Sequence, residues 1–244
     1  METIAAILER VKSNLSTESS IEEPDIEEPC PTCLGRGYIS TPGLPVGHPQ
    51  FGKAIACEQC RPQVESFFES LDVTDANRDA ISEGVAMALK PAGWLILKGT
   101  RGVGKTAIAT AILSGVNRRH TNPYQAAALL DFWRSRIDVG DFSETFGGMC
   151  QLPFFVIDDL AAVRPVEPGR GDSSTTPWAL ERLTVLLDHR YARRLPTVIT
   201  TDRNEIEMAH IVGPRIADRV FDQHSGLCTV IPITGPSRRT GREW

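Results

Sequence analysis

Three glycines, a lysine and a threonine, spaced as Gly99-Thr100-Arg101-Gly102-Val103-Gly104-Lys105-Thr106, suit one task above others, which is to hold a chain of phosphates. Glycine permits the turns that point successive backbone N–H groups inward. A helix beginning near Lys105 would aim its positive dipole end at the same point. Lys105 would reach the terminal phosphates, and the Thr106 hydroxyl would hold magnesium. Further along, Phe154-Phe155-Val156-Ile157 deliver Asp158 and Asp159 to the end of an apolar run. In an open parallel sheet the carboxyl ends of the strands are where ligands sit. Asp158 there suits magnesium, directly or through water, and Asp159 suits orienting an attacking water.

A second cluster carries different chemistry. Cys30, Cys33, Cys57 and Cys60 form two Cys-x-x-Cys pairs, the donor set of one tetrahedral zinc held by four thiolates. Four protein ligands leave no open position, so such a site is structural. Gly35 and Gly37 would free the backbone to curl around the metal. Thiol redox is the alternative, and His48 could replace one cysteine. Cys150 and Cys228 stand alone in apolar surroundings and read as small buried hydrophobes.

The elements that must position these residues follow from hydrophobic spacing. Residues 93–99 form a buried strand and 105–118 a helix. "NPYQAAALLDFWRSRI" is a short strand turning into a helix, and 152–160 is a second buried strand. The loop 164–177 is rich in glycine, proline and serine. A helix follows with Leu180, Leu183, Leu186 and Leu187 on one face, started by Thr176-Pro177. Strands close the pattern at 195–202 and 227–233. Apolar strands alternating with helices predict an α/β fold with a parallel sheet covered on both faces.

Upstream, Ile4, Ile7, Leu8, Val11 and Leu15 have the spacing of a short amphipathic helix. An acidic, proline-broken linker separates it from the cysteines, and 64–90 reads as helical with a break near Asp72 to Asp75. The expected domains are 1–28 (helix and acidic linker), 29–62 (zinc module) and 63–244 (phosphate-binding domain).

Composition bounds the function. Hydrophobic residues make up 41 % and charged residues 23 % of the 244, as in an ordinary soluble globule. No apolar run approaches the roughly 20 residues of a membrane helix, and the start of the chain lacks the pattern of a signal peptide, so a cytoplasmic protein is expected. The net charge is −5. Residues 1–30 carry −6 of it and the remainder +1, so a near-neutral body with local basic clusters could still hold nucleic acid weakly.

From residue 93 onward the chain resembles the AAA+ ATPases of the bacterial DnaC/DnaI replicative helicase loaders and their phage counterparts. The residues that carry the likeness are "LILKGTRGVGKT", "FFVIDDLAA", "WALERLTVLLDHRYARRLPTVITTD", "GPRIADRVFD" and "GPSRR". The cysteine module is similar to the zinc-binding N-terminal domains of some loaders. The resemblance implies an AAA+ P-loop domain without a helical lid, ATP and magnesium as ligands, and ATP hydrolysis that is weak until subunits assemble. It implies a sensor at the tip of the strand 195–202. Thr201 is favoured for that role, and Asp202 is the alternative, although an acid there would repel phosphate. It further implies an arginine finger presented to the neighbouring subunit. Arg219 fits the family register, and Arg215 lies one helical turn before it on the same face.

The implied partners are a DnaB-type hexameric helicase held through the N-terminal region, other copies of the chain in the ATP state, and single-stranded DNA. Arg118, Arg119, Arg134 and Arg136 are the candidate DNA contacts, with Tyr124 and Trp133 in reach, Trp133 being favoured for the core. The alternatives are an IstB-type transposition helper, which generally lacks such a zinc module, and a metabolic P-loop kinase.

Overall fold

The computed structural model describes residues 3–15, 31–32, 38–40, 54–56, 64–116, 122–162 and 177–241. The chain divides into two compact units, Met1–Pro91 with Thr106–Asn122, and Ala92–Lys105 with Pro123–Trp244.

The first unit holds α1 (Ile4–Leu15), an antiparallel pair of short strands β1 (Tyr38–Ser40) and β2 (Ala54–Ala56), α2 (Val64–Phe68), α3 (Arg78–Leu89) and most of α4 (Lys105–Val116). The predicted amphipathic stripe of α1 is turned inward. Ile7, Leu8 and Val11 are buried, and α1 packs on α2 and α3. The break between α2 and α3 is organised by the buried Asn77. Its Oδ1 accepts from the Thr74 backbone N–H at 2.7 Å and the Thr74 hydroxyl at 3.0 Å, and its Nδ2 donates to the Asp72 carbonyl at 2.8 Å. A polar side chain that satisfies the local backbone competes with helix, which is why the two helical runs do not merge. Glycines set how closely α3 and α4 approach. A Cβ on Gly84 would stand 3.1 Å from the Ile112 side chain, and one on Gly115 would stand 3.0 Å from Ala88.

The second unit is built on a five-stranded parallel sheet. Its strands are β3 (Trp94–Gly99), β4 (Tyr124–Gln125), β5 (Phe155–Asp158), β6 (Thr197–Thr201) and β7 (Cys228–Ile233), in the order β4-β5-β6-β3-β7. The strand order places β6 between the strand that leads into the glycine loop and the strand that ends in the acids. The register fixes which tips are neighbours, since Ile157 pairs with Ile199 and Lys98 with Thr201.

Helices α5 (Ala126–Val139), α6 (Phe142–Cys150), α7 (Pro177–Ala192), α8 (Glu205–Val212) and α9 (Pro214–Val220) intervene, with a 3-10 turn at Leu160–Ala162. Alternate strand residues, among them Trp94, Ile96, Phe155, Ile157 and Ile199, join a core with Leu129, Leu130 and Trp133 of α5, Leu183, Leu186 and Leu187 of α7, and Ile216 and Val220 of α9. The residues between them on the strands, Leu95, Leu97, Val156 and Val198, are buried too, as the continuous apolar runs predict.

Helix α6 was not expected from the sequence. Gly147 and Gly148 lower its intrinsic propensity, and tertiary packing of Phe146, Met149 and Cys150 against the core outweighs that cost. Gly140, in the left-handed region at φ 84°, ends α5 and separates the two helices.

Among the described residues no helix is long and apolar enough to cross a membrane.

Candidate functional site

The glycine loop leaves β3 at Gly99 and enters α4 at Lys105. Gly102 and Gly104 have φ of +84° and +106°, conformations that L side chains rarely adopt. Space is also closed to a side chain. A Cβ on Gly99 would lie 2.2 Å from the Ile233 carbonyl oxygen, and one on Gly102 would lie 2.1 Å from Ser237 Oγ. The loop is thus clasped from the far end of the chain. The Arg238 backbone N–H donates to the Gly102 carbonyl at 2.9 Å, and the Arg238 side chain runs beside Gly104. Lys105 Nζ donates to the carbonyls of Gly99 at 2.7 Å and Thr100 at 2.8 Å. Burial lowers the Lys105 pKa, opposed by Asp202, then Asp159 and Asp158. The positive-φ glycines and the ammonium at a helix start suit a polyphosphate.

Asp158, the last residue of β5, is 3 % exposed and held from both sides. Its Oδ1 accepts from the Thr200 hydroxyl and its Oδ2 from Gln125 Nε2, each at 2.6 Å. Asp159 turns out of the strand at φ 53°, a cost tolerated better by Asp and Asn than by most residues. Its backbone N–H donates to Thr200 Oγ1 at 2.8 Å, and its carbonyl accepts from Ala162 at 2.8 Å. One hydroxyl therefore ties both carboxylate residues to the middle strand. Burial raises the Asp159 pKa, followed by the nearby charge of Asp202. A carboxylate with a raised pKa is a better proton acceptor than an ordinary aspartate.

The tip of β6 carries the sensor candidates. Thr201 is fully buried, and its Oγ1 accepts from the Arg203 backbone N–H at 3.1 Å. Asp202 does not stand alone. Its Oδ2 lies 3.2 Å from Arg101 Nε of the glycine loop and its Oδ1 lies 3.2 Å from Arg203 Nε.

The arginines of α9 form a separate group. Asp188 of α7 is within 2.5 Å of both Arg215 Nη2 and Arg219 Nε. Arg219 also stacks over the Tyr191 ring at 5.5 Å, and the Tyr191 hydroxyl is hydrogen-bonded to Asp222. The Arg215 side chain is 65 % exposed and that of Arg219 23 %, so the guanidinium with more access to solvent is Arg215.

Two of the arginine candidates for DNA contact, Arg134 and Arg136, lie on α5. Arg134 pairs with Asp131 at 2.6 Å and Arg136 with Asp141. Trp133 is buried and donates to Met149 Sδ at 3.3 Å, so it belongs to the core. Tyr124 is half-buried and stacks on Phe155. Arg118 and Arg119 lie outside the described residues, as do Cys30, Cys33, Cys57, Cys60 and His48. Among the described residues no group of three or more His, Cys, Asp and Glu side chains is gathered to hold a metal. Cys150 and Cys228 are buried free thiols, as expected.

Sequence reasoning missed Thr200, Gln125, Ser237 and Arg238 as parts of this site. Each meets its partner only through the sheet register or the return of the chain's end to the glycine loop. Thr200, one position before the favoured sensor, had no distinguishing mark beyond being a polar residue in an apolar strand.

No family model matches the sequence, and no curated protein matches it. Solved structures do resemble the fold. A DnaC helicase loader superposes with a TM-score of 0.55 at 18 % identity, over 69 % of this chain and 96 % of that one. A DnaI structure gives 0.51 at 23 % identity, over 70 % and 89 %. A replication initiator DnaA bound to AMPPCP and single-stranded DNA gives 0.52 at 17 % identity, over 68 % of this chain and 49 % of that one, so the match spans about half of the initiator. The fold they share with this chain is an α/β one, a parallel sheet flanked by helices.

Proposed function

We propose that this protein is an ATP-dependent loader of a replicative helicase. It would bind ATP in the loop 99–106 and hydrolyse it in a site completed by a neighbouring copy. The observation that carries the reading is the Thr200 hydroxyl, which holds Asp158 and Asp159 in place at the strand tip next to the glycine loop.

In this reading the backbone of Gly99, Thr100, Arg101, Gly102, Val103 and Gly104 cradles the phosphates. Lys105 leaves its two carbonyl partners for the terminal phosphates. Thr106 and Asp158 would hold magnesium, which supplies neutralising charge at the phosphate oxygens. Asp158 has both oxygens engaged by Thr200 and Gln125, a fixed orientation that suits contact through water. Asp159 orients the attacking water and accepts its proton, and its raised pKa favours that transfer. Thr201 reads the terminal phosphate, a role that requires its buried hydroxyl to leave the Arg203 N–H and turn to the loop.

Arg219, with Arg215 beside it, supplies the charge a departing phosphoryl group needs. The charges that act on Lys105 and Asp159 come from Arg101, Asp158, Asp202 and each other. The two α9 arginines instead share Asp188. That separation supports a finger given to another subunit's site. Helicase would be held through the N-terminal region, including a zinc module on Cys30, Cys33, Cys57 and Cys60, and single-stranded DNA would be held weakly. The DnaC and DnaI structures that share the fold support the assignment.

Turnover by the full chain tests it, measured against protein concentration with and without a DnaB-type helicase. Arg219→Ala should lower kcat on the order of 10³-fold while ATP still binds. Mixing Arg219→Ala with Asp159→Asn should restore part of the rate, because one variant keeps the finger and the other keeps the base. If dilute monomer hydrolyses ATP at the assembled rate and Arg219→Ala changes nothing, the shared site is wrong. Failure to retain any DnaB-type helicase would remove the loader assignment.

A further inference from the structure

The tip of β6 presents an electrostatic conflict. Asp202 is acidic at the place where a phosphate-reading strand ends, and it is only 13 % exposed. It acts on Lys105 more strongly than Asp159 or Asp158 does, so it lies within the charge cluster a triphosphate would enter. A carboxylate a few ångströms from an incoming γ-phosphate disfavours binding by roughly tenfold even at the dielectric of water. The glycine loop carries a side chain that answers this charge. Arg101, which a phosphate cradle needs only for its backbone, extends its guanidinium to Asp202 Oδ2, and Arg203 takes Oδ1.

We propose that Arg101 is a counter-charge built into the phosphate loop, shielding Asp202 so that the strand tip accepts a triphosphate. The inference rests on the nucleotide-binding reading above and deepens it by assigning the side chains that set affinity for the terminal phosphate. Arg101 is 76 % exposed, so it can keep its hold on Asp202 or turn toward a phosphate oxygen as the charge in the site grows. In the nucleotide-binding reading the γ-phosphate would bring its charge to the strand tip, so the effect should be larger for ATP than for ADP.

A plain structural strut between loop and strand makes a different forecast. If the ion pair only holds the loop in shape, removing either partner weakens nucleotide equally. If Arg101 shields Asp202, the two removals act in opposite directions. The experiment is a binding titration of the full chain with AMPPCP and with ADP, both with magnesium. The proteins are wild type, Arg101→Ala, Arg101→Lys, Asp202→Asn and the Arg101→Ala/Asp202→Asn double variant, with thermal melts run alongside.

Arg101→Ala is expected to weaken AMPPCP about tenfold and ADP about threefold. Arg101→Lys keeps the charge and is expected to stay within about threefold of wild type. Asp202→Asn is expected to bind AMPPCP at least as tightly as wild type, and the double variant to recover most of the loss. Asp202→Asn weakening AMPPCP as much as Arg101→Ala overturns the proposal in favour of a strut, as does an Arg101→Ala protein with unchanged affinity. Wild type that binds neither nucleotide, with Lys105→Ala indistinguishable from it, sinks the nucleotide site itself and this inference with it.

Discussion

The two ends of the same parallel sheet both place charge beside buried strands, and they treat it oppositely. At the amino ends lies Arg190 of α7, fully buried. Its Nε donates to Thr197 Oγ1 at 3.0 Å, and its terminal nitrogens donate to the carbonyls of Leu152 and Pro196 at 2.7 Å each. The guanidinium also sits 5.0 Å from the centre of the Phe155 ring. Burial pushes its pKa down to about 9, still well above neutral, so the charge stays. Trp94 adds an indole bond to the Leu195 carbonyl at 3.1 Å. This end is held mostly by backbone carbonyls just ahead of β5 and β6.

At the carboxyl ends the partners are mostly other side chains. Lys105, Asp159, Asp202 and Arg101 act on one another, the glycines adopt positive φ, and Asp159 turns out at φ 53°. Fixed partners make a strut, whereas competing side chains leave a charge cluster that a phosphate can rearrange.

The comparison can be broken most forcefully at the amino end. Arg190→Met roughly keeps the volume but takes the guanidinium donor from the Leu152 carbonyl and one of two bonds each from the Pro196 carbonyl and the Thr197 hydroxyl, and should cost about 3–4 kcal/mol in denaturant unfolding. Nucleotide affinity of the protein that remains folded should not change. A stable Arg190→Met protein with weakened nucleotide binding would reverse the roles assigned to the two ends.

Thr200→Val is the next largest change and touches the carboxyl end. It removes the hydroxyl that donates to Asp158 and accepts from the Asp159 N–H. A loss of about 1–2 kcal/mol in stability should accompany at least a tenfold fall in turnover, with nucleotide affinity affected less. Equal turnover in the variant would mean that Asp159 is held by other contacts.

The smallest effect carries a sign. Asp159 has a raised pKa in the folded chain, so its ionised form is penalised there relative to the unfolded value of 3.8. That penalty is fully present at neutral pH and vanishes as pH falls from the raised folded pKa through 3.8. Asn tolerates the same backbone region. Asp159→Asn should therefore raise the melting temperature by roughly 1–2 °C at pH 7, and the gain should disappear in acid while turnover is lost at every pH. A variant that melts lower at pH 7 would show that the carboxylate stabilises the site instead of straining it.

Much of this was legible in the residues themselves. Periodicity gave the five strands, the α5 and α7 helices and the break before α3. The glycine spacing marked the phosphate loop, since positive-φ turns leave a signature in residue type. The acidic pair at the end of an apolar strand was equally readable. The pairing of Asp202 with Arg101, the double hold of Thr200 and the clasp of Ser237 on Gly102 were not, because each joins residues far apart in the chain.

Local chemistry by itself determined which segments became strand, helix and phosphate loop, because hydrophobic spacing and glycine content act within a few residues. The tertiary structure alone decided which polar groups meet at the strand tips. The order β4-β5-β6-β3-β7 places the tip of β6 between the phosphate loop and the acids, and that order follows from burying apolar faces across the whole unit. It also decided that the stripe of α1 faces inward and that the α9 arginines share Asp188. Such pairings depend on long-range packing, which a linear pattern of residues does not encode locally.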